Sequence, residues 1–159
     1  MNWLLTAAAL LAIALPAPAA RAQSKPAAAC DVFEIEANND GKGIDPGLGG
    51  LARVLKKPPF ASWSSFVLIA RHRAKVATAE TAEIALKVGG RLDLTVRDVV
   101  RKQGKKPRLR MAVAWVNAKG KKATASSEVD SGDPWLIGGE PMPGKPKSTY
   151  FLGIACTVR

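Results

Sequence analysis

The sequence predicts an all-β domain, a mainly antiparallel sandwich or barrel-like fold with one short helix. In most of the chain after residue 62, apolar and polar residues alternate, which is the period of a strand with one buried face. Glycine-containing turns separate these segments, and no repeated helical segments lie between them, which argues against a parallel α/β sheet. Cys30 and Cys156 lie near the two ends of the predicted domain, where a bond between them would join its first and last strands.

The N-terminal residues predict an export signal peptide over residues 1–22. An apolar run at residues 4–15 is followed by prolines and by Ala20-Arg21-Ala22, the small-residue pattern of a signal-peptidase site. The run is too short to span a bilayer, which takes about 20 apolar residues. We therefore expect an exported protein, periplasmic or secreted, with no transmembrane segment in its mature part. An uncleaved membrane anchor is the alternative.

The mature chain is predicted to hold a flexible linker at residues 23–29 and a single antiparallel β-domain at residues 30–159. The run Ala27-Ala28-Ala29-Cys30 partly resembles a lipoprotein box. It does not directly follow the apolar run, and three prolines lie between the two. Lipidation is therefore the less favoured alternative to a linker.

The only two cysteines, Cys30 and Cys156, predict a disulfide. In an oxidising compartment such a pair is more often bridged than free. The bridge would close nearly the whole domain into one loop. In the chain-entropy model, such a bridge stabilises the folded state by about 5 kcal/mol, because it reduces the entropy of the unfolded chain. Because a disulfide needs its two Cα atoms close together, the first and last strands must be neighbours or face each other across the sandwich.

The first strand and the helix are predicted in the first third of the chain. At residues 32–37 apolar side chains alternate with Glu34 and Glu36, and we expect the two glutamates to face solvent. Asp45 is predicted to cap a helix that begins at Pro46 and ends before the next two prolines. Three glycines weaken this helix, so we expect it to be short and held by packing.

The later strands follow from period-two alternation. Gly89-Gly90 predicts a tight two-residue hairpin, and Lys119-Gly120 predicts a second turn. The segment that follows this turn is polar, so we expect it near a sheet edge. Strands are predicted at residues 66–69, 82–88, 92–96, 109–115, 121–130, 135–139 and 150–156.

The chain is strongly basic, with 24 lysines and arginines against 13 aspartates and glutamates. Arg21 falls in the signal, so the mature chain keeps 23 of these basic residues and a net charge of +10. This charge favours contact with polyanions, although many small exported proteins are simply basic. Six basic residues crowd one predicted hairpin loop and are our candidate polyanion-binding residues: Arg101, Lys102, Lys105, Lys106, Arg108 and Arg110.

The expected partner of this loop is an anionic polysaccharide, lipopolysaccharide or an acidic protein. A nucleic acid is not expected, because export removes most such roles and few aromatic residues accompany the charges. Lys119, Lys121 and Lys122 form a second basic group, which should lie at the opposite end of the same strand pair. A solvated loop without a partner is the alternative.

No catalytic, cofactor or metal signature is recognisable, so we expect a non-catalytic protein without cofactor or metal. Asn38 to Asp45 is rich in oxygen ligands, but an EF-hand register fails because its twelfth position falls on Gly47. A strand-to-helix connection is therefore preferred to a calcium site. His72, between two arginines, is interpreted as a surface residue at a strand end without a partner.

Two other functions remain open. A glycan-directed hydrolase needs two carboxylates at a suitable separation, which the sequence alone cannot establish. A structural subunit of an envelope assembly would expose a large apolar patch. The carboxylates considered for a hydrolase are Glu34, Glu36, Asp93, Asp98, Glu128 and Asp130.

Several short motifs occur in a recognisable order along the mature chain. They are Cys30-Asp31-Val32, Asn38-Asn39-Asp40-Gly41, Pro59-Phe60, Leu136-Ile137-Gly138-Gly139 and Phe151-Leu152-Gly153-Ile154. In this order the chain resembles small exported bacterial proteins of uncharacterised function. The motifs are turns and strands, so the resemblance implies no activity and assigns no functional residue.

Overall fold

Two β-sheets form the part of the chain that the computed structural model describes, residues 26–159. The predicted signal peptide lies outside these residues. Nine strands are found within them: β1 Pro26–Asn38, β2 Gly43–Ile44, β3 Ser65–Ala77, β4 Thr81–Ala85, β5 Gly90–Val100, β6 Arg108–Asn117, β7 Lys122–Asp130, β8 Pro134–Met142 and β9 Lys145–Val158.

The sheets are mainly antiparallel and do not close into a barrel. One sheet has the order β2-β3-β1-β9-β8 and the other the order β4-β5-β6-β7. Only the short β2–β3 pairing is parallel among the strand pairs of these sheets. The predicted all-β class is confirmed, and of the two predicted architectures the structure is the sandwich.

The main core lies between the two sheets. Val32 and Ile154 on one sheet and Leu94 and Met111 on the other are almost completely buried in the same apolar cluster. A second cluster covers the outer face of the five-stranded sheet, where Ile35 packs with residues of the helical segment. Strand β1 therefore has both faces covered, since its alternate side chains enter the two clusters.

The helical segment is short, as the sequence predicts. It consists of a 3₁₀ helix, Pro46–Leu51, followed by one α-helical turn, α1, Ala52–Leu55. The Asp45 carboxylate accepts a hydrogen bond from the Gly47 amide at 2.7 Å, which confirms the predicted cap. Packing holds the segment, because its leucines Leu48, Leu51 and Leu55 are buried against the sheet.

The predicted disulfide joins the first and last of the described strands. Cys30 on β1 lies directly opposite Cys156 on the neighbouring strand β9, and their sulfur atoms are 2.08 Å apart. The two strands are therefore adjacent in one sheet, and the alternative of a bridge across the sandwich is wrong. Both cysteines are buried in the main core.

Several predicted boundaries need correction. Strand β1 begins at Pro26, so residues 26–29 are not linker: three small alanines follow Pro26, and Ala28 is fully buried. The β4–β5 hairpin exists, but its turn spans residues 86–89, where the Gly89 amide donates a hydrogen bond to the Leu86 carbonyl at 3.1 Å, and Gly90 opens β5. Strand β7 lies at the edge of its sheet, as predicted for a polar segment.

Residues 26–159 contain no helix with the length and apolar character that a membrane crossing requires.

Candidate functional site

The six predicted polyanion-binding residues surround the β5–β6 hairpin loop, residues 101–107. Arg101, Lys102, Lys105 and Lys106 all project from this loop as exposed residues. A turn in which the Lys105 amide donates to the Lys102 carbonyl at 3.1 Å brings these lysines to the same tip. The predicted hairpin loop is therefore confirmed, and it lies between β5 and β6.

Arg108 and Arg110 differ from the loop lysines because acidic residues of β7 already neutralise them. Arg108 Nε lies 2.6 Å from an Asp130 carboxylate oxygen, and Arg110 Nε lies 3.2 Å from Glu128. Hydrogen bonds from Arg110 and Arg108 hold the pKa of Glu128 below its usual value. The two arginines thus belong to a cross-strand ion-pair network. The sequence alone does not reveal this network, because it depends on the register between β6 and β7, which places Arg108 opposite Asp130 and Arg110 opposite Glu128.

A small cavity of about 80 Å³ lies at the base of the loop. Its lining consists of Val100 and four cationic residues, Lys102, Lys105, Lys106 and Arg108. Among the described residues, Lys102 and Lys105 have no acidic side chain within ion-pair distance, and Lys106 reaches Asp133 only at 3.9 Å. Four cationic side chains converge here and only Arg108 is closely paired with carboxylates, which favours an anionic group at this place.

The second basic group lies at the other end of β6, as predicted. Lys119 and Lys121 belong to the β6–β7 turn and Lys122 opens β7, whereas loop 101–107 precedes β6. A ten-residue strand such as β6 is about 30 Å long. The two groups therefore form no common groove.

The two glutamates of β1 are buried, which corrects the expectation that they face solvent. The side chain of Glu34 has no exposed surface, although it is charged. Its carboxylate accepts hydrogen bonds from the backbone amides of Lys87 at 2.6 Å and Val88 at 3.0 Å, and from the Tyr150 hydroxyl at 2.8 Å. Alternation was misleading here because the second face of β1 is covered by the other sheet.

Glu34 is ionised despite its burial. Burial alone would raise the pKa of Glu34, but hydrogen bonds from His72, the two amides and Tyr150 outweigh it and lower the pKa. Burial and the neighbouring Glu34 raise the pKa of the Tyr150 hydroxyl far above its usual value, so this hydroxyl remains a donor. The carboxylate thus joins β1 to β9 and to the β4–β5 turn of the other sheet.

Glu36 forms a second polar cluster, nearer the surface. Its carboxylate accepts hydrogen bonds from Lys145 Nζ at 2.6 Å and from the Ser148 hydroxyl at 2.7 Å. These contacts together lower the pKa of Glu36 against the opposing effect of burial. Glu36 therefore ties the start of β9 to β1.

The prediction for His72 was wrong in three respects. The residue lies within β3 rather than at a strand end, and it is only partly exposed. It also has an acidic partner, since Nε2 lies 2.7 Å from a Glu34 carboxylate oxygen. The pairing depends on β1 and β3 being neighbours, with Val32 opposite His72, which the local sequence around His72 does not reveal.

The loop at residues 38–45 connects β1 to the helical segment, and its side-chain oxygen atoms accept hydrogen bonds from other groups of the same chain. The Ser65 hydroxyl donates to the Asp40 carboxylate, and Asp45 caps the helical segment. The Asn38 side-chain oxygen accepts from the Asp40 amide at 3.1 Å. Within residues 26–159 no group of three or more histidine, cysteine or acidic side chains could hold a metal ion.

The remaining carboxylates considered for a hydrolase lie in surface ion pairs. Asp93 pairs with Arg91 at 2.8 Å, and Asp98 lies 3.8 Å from Arg110. Glu128 and Asp130 pair with the arginines of β6 as described above. The structure therefore places these four residues on the four-stranded sheet and Glu34 and Glu36 on the other one.

Comparison with protein-family models, with curated proteins and with solved structures found no match to this chain.

Proposed function

We propose that this chain is an exported, non-catalytic domain that binds an anionic polysaccharide of the cell envelope through loop 101–107. The cavity at the base of the loop is the observation that carries the proposal, because four cationic side chains line it. Its volume of about 80 Å³ suits one sulfate, phosphate or carboxylate group. The buried disulfide is compatible with an oxidising, extracytoplasmic location.

Arg101, Lys102 and Lys105 would make the main contacts, because they are exposed and have no acidic partner among the described residues. Arg108 also lines the cavity, but its ion pairs with Asp130 and Glu128 already reduce its charge. We expect Arg108 to position the loop on β7 rather than to provide binding energy.

The two alternative functions have weaker support. A hydrolase of this kind needs one carboxyl group that is still protonated near neutral pH, so that it can act as a general acid. The pKa values of Glu34 and Glu36 are both lowered, so neither carries a proton to donate at that pH. A structural subunit needs an apolar contact surface, and among the large hydrophobic side chains described only Val67 is exposed.

The test compares two double variants with the same change in charge. K102E/K105E replaces two of the three unpaired loop cations, and K56E/K57E changes two exposed lysines at the end of α1. Binding of a sulfated heparin oligosaccharide is measured by calorimetry at about 0.05 M and 0.3 M salt, because added salt screens such contacts. The proposal predicts that K102E/K105E raises Kd about tenfold or more, equivalent to about 1.4 kcal/mol, and K56E/K57E far less.

Equal losses in the two variants would mean that only the overall charge matters, and would overturn the loop as the site. Poly-L-glutamate is tested in parallel at equal charge concentration. If the peptide polymer binds more tightly than the oligosaccharide and needs Lys102 and Lys105, the partner is an acidic protein and the polysaccharide proposal is wrong.

A further inference from the structure

A larger cleft lies at the other end of the sandwich, far from loop 101–107. It has a volume of about 570 Å³, within the range of about 300–1,000 Å³ that is usual for small-molecule sites. Three turns and the strand ends beside them enclose it: residues 88–89 after β4, residues 117–121 from the end of β6, and residues 140–146 from the end of β8 to the start of β9. The buried rings of Trp115 and Tyr150 line its inner side, with their centroids 5.7 Å apart.

The lining is mostly apolar, but one buried polar group in it has no partner. Met142 and three prolines of the β8–β9 hairpin line the cleft together with the two aromatic rings. The indole N–H of Trp115 is buried and has no hydrogen-bond acceptor among the described residues. Because buried tryptophan N–H groups usually have an acceptor, this donor favours a ligand that brings an oxygen atom.

The charged residues of the cleft favour an anion. Three lysines line it: Lys121 and Lys145 are paired with Glu140 and Glu36, and Lys119 is the third. The Glu140 carboxylate is already occupied by Asn117 at 2.8 Å and Lys121 at 3.2 Å. Lys119 is exposed and has no carboxylate within ion-pair distance in the described part of the chain, so it is free to meet a ligand.

The two buried glutamates of β1 position this cleft. Glu34 holds the Val88 amide and the Tyr150 hydroxyl, and both residues line the cleft. Glu36 holds the lining residue Lys145 through the contact at 2.6 Å. Burying a charge is costly unless it is fully hydrogen-bonded, so two ionised side chains devoted to the walls of one cleft indicate a rigid, preformed site.

We propose that this cleft binds a fatty-acid-like anion, a single acyl chain that carries a carboxylate. The acyl chain lies against Tyr150, Met142 and the ring of Trp115, and the carboxylate meets Lys119 and accepts a hydrogen bond from the Trp115 indole N–H. A peptide fits the lining less well, because its many amide groups would need fixed acceptors and the one carboxylate here is engaged. The site is independent of the polysaccharide site, since the two lie at opposite ends of β6.

The test uses dodecanoate below its micellar concentration, with calorimetry and the indole N–H signal of Trp115 in ¹H–¹⁵N NMR spectra. Dodecanol, dodecyltrimethylammonium and acetate are the comparison ligands. The proposal predicts that dodecanoate binds and moves the Trp115 signal, and that each comparison ligand binds at least about tenfold more weakly. Dodecanol and dodecyltrimethylammonium lack the carboxylate, and acetate lacks the acyl chain. The Trp115→Phe variant assigns the signal.

Lys119→Glu should weaken dodecanoate binding about tenfold, whereas Lys122→Glu, which makes the same charge change just outside the cleft, should change it less than about twofold. Equal binding of dodecanol and dodecanoate, equal effects of the two lysine variants, or no binding at all would each overturn the proposal. The K102E/K105E variant should bind dodecanoate normally, so that failure here is distinguishable from failure of the polysaccharide site.

Discussion

At the scale of single residues, the unusual feature is an ionised glutamate with no exposed surface. Glu34 is surrounded by donors from three elements: His72 on β3, Tyr150 on β9 and the Lys87 and Val88 amides of the β4–β5 turn. Removing one member of such a cluster leaves other buried groups without partners, which is more costly than the net value of any single contact. Glu34 should therefore dominate the response of the fold to mutation and to acid.

Glu34→Gln keeps the shape of the side chain but turns an NH₂ group toward donors. We expect it to lower the free energy of unfolding at pH 7 by about 3 kcal/mol, measured by urea denaturation. The pKa of Glu34 is lowered on folding, so its stabilisation is complete above the unfolded pKa of about 4.3 and is lost as the pH falls through the folded pKa. The difference between wild type and Glu34→Gln should therefore shrink as the pH falls below about pH 4.

Glu83→Gln is the matched control, because Glu83 is exposed and lies 3.8 Å from its partner Arg91. This variant should change stability by less than about 0.5 kcal/mol. If the two variants lost the same stability at pH 7, or if the Glu34 effect persisted unchanged at pH 3, the assigned role of Glu34 would be wrong.

At the scale of elements, the turns decide how closely the strands can approach. Gly90 opens β5 with a φ of +92°, and a Cβ atom there would come within 2.0 Å of the Val116 carbonyl oxygen on β6. Gly120, in the β6–β7 turn, also has a positive φ, +77°, but a Cβ atom added there would have no neighbouring atom within 4 Å. Substitution of Gly120 by alanine therefore tests the backbone strain alone, whereas substitution of Gly90 tests the same strain together with a steric clash.

We expect Gly120→Ala to cost about 1–2 kcal/mol, the strain of a left-handed alanine. Gly90→Ala adds a backbone clash to the same strain, so it should cost about 3 kcal/mol or more. Thermal or urea unfolding of both variants measures the difference. Equal destabilisation would show that β5 and β6 are not as close at Gly90 as described.

How much of these elements the sequence could predict depends on what surrounds them. The alternations of β5, β6 and β9 were easy to recognise, since side chains such as Leu94, Val113 and Leu152 enter one core. The alternation of β1 was misinterpreted, because period two does not distinguish a glutamate in water from one in a buried polar cluster. Glu34 finds its donors more than 35 residues away along the chain, and only the assembled sheets bring them together.

At the scale of the whole molecule, the disulfide joins the first and last of the described strands. Cys30 and Cys156 are separated by 126 residues, so the bond restricts nearly all of the unfolded chain. This constraint could be predicted from cysteine count and position alone. The cleft and the loop cavity could not, because they depend on which turns meet at the two ends of the sandwich.

The C30A/C156A variant should lose about 2–5 kcal/mol of unfolding free energy relative to the oxidised protein. Its m-value should increase, since the unfolded chain without the bond exposes more surface. Urea denaturation of both proteins provides the measurement, with wild type in reductant as a second reference. Identical unfolding curves with and without the bond would contradict the pairing or its structural importance.

NMR titration of the ¹⁵N-labelled protein with an anionic oligosaccharide shows directly whether loop 101–107 is the binding site. We expect chemical-shift changes to centre on residues 101–108 and to saturate together, while amides near Lys56, Lys57 and Lys119 change little. Changes spread evenly over all basic surfaces, or centred away from loop 101–107, would contradict it.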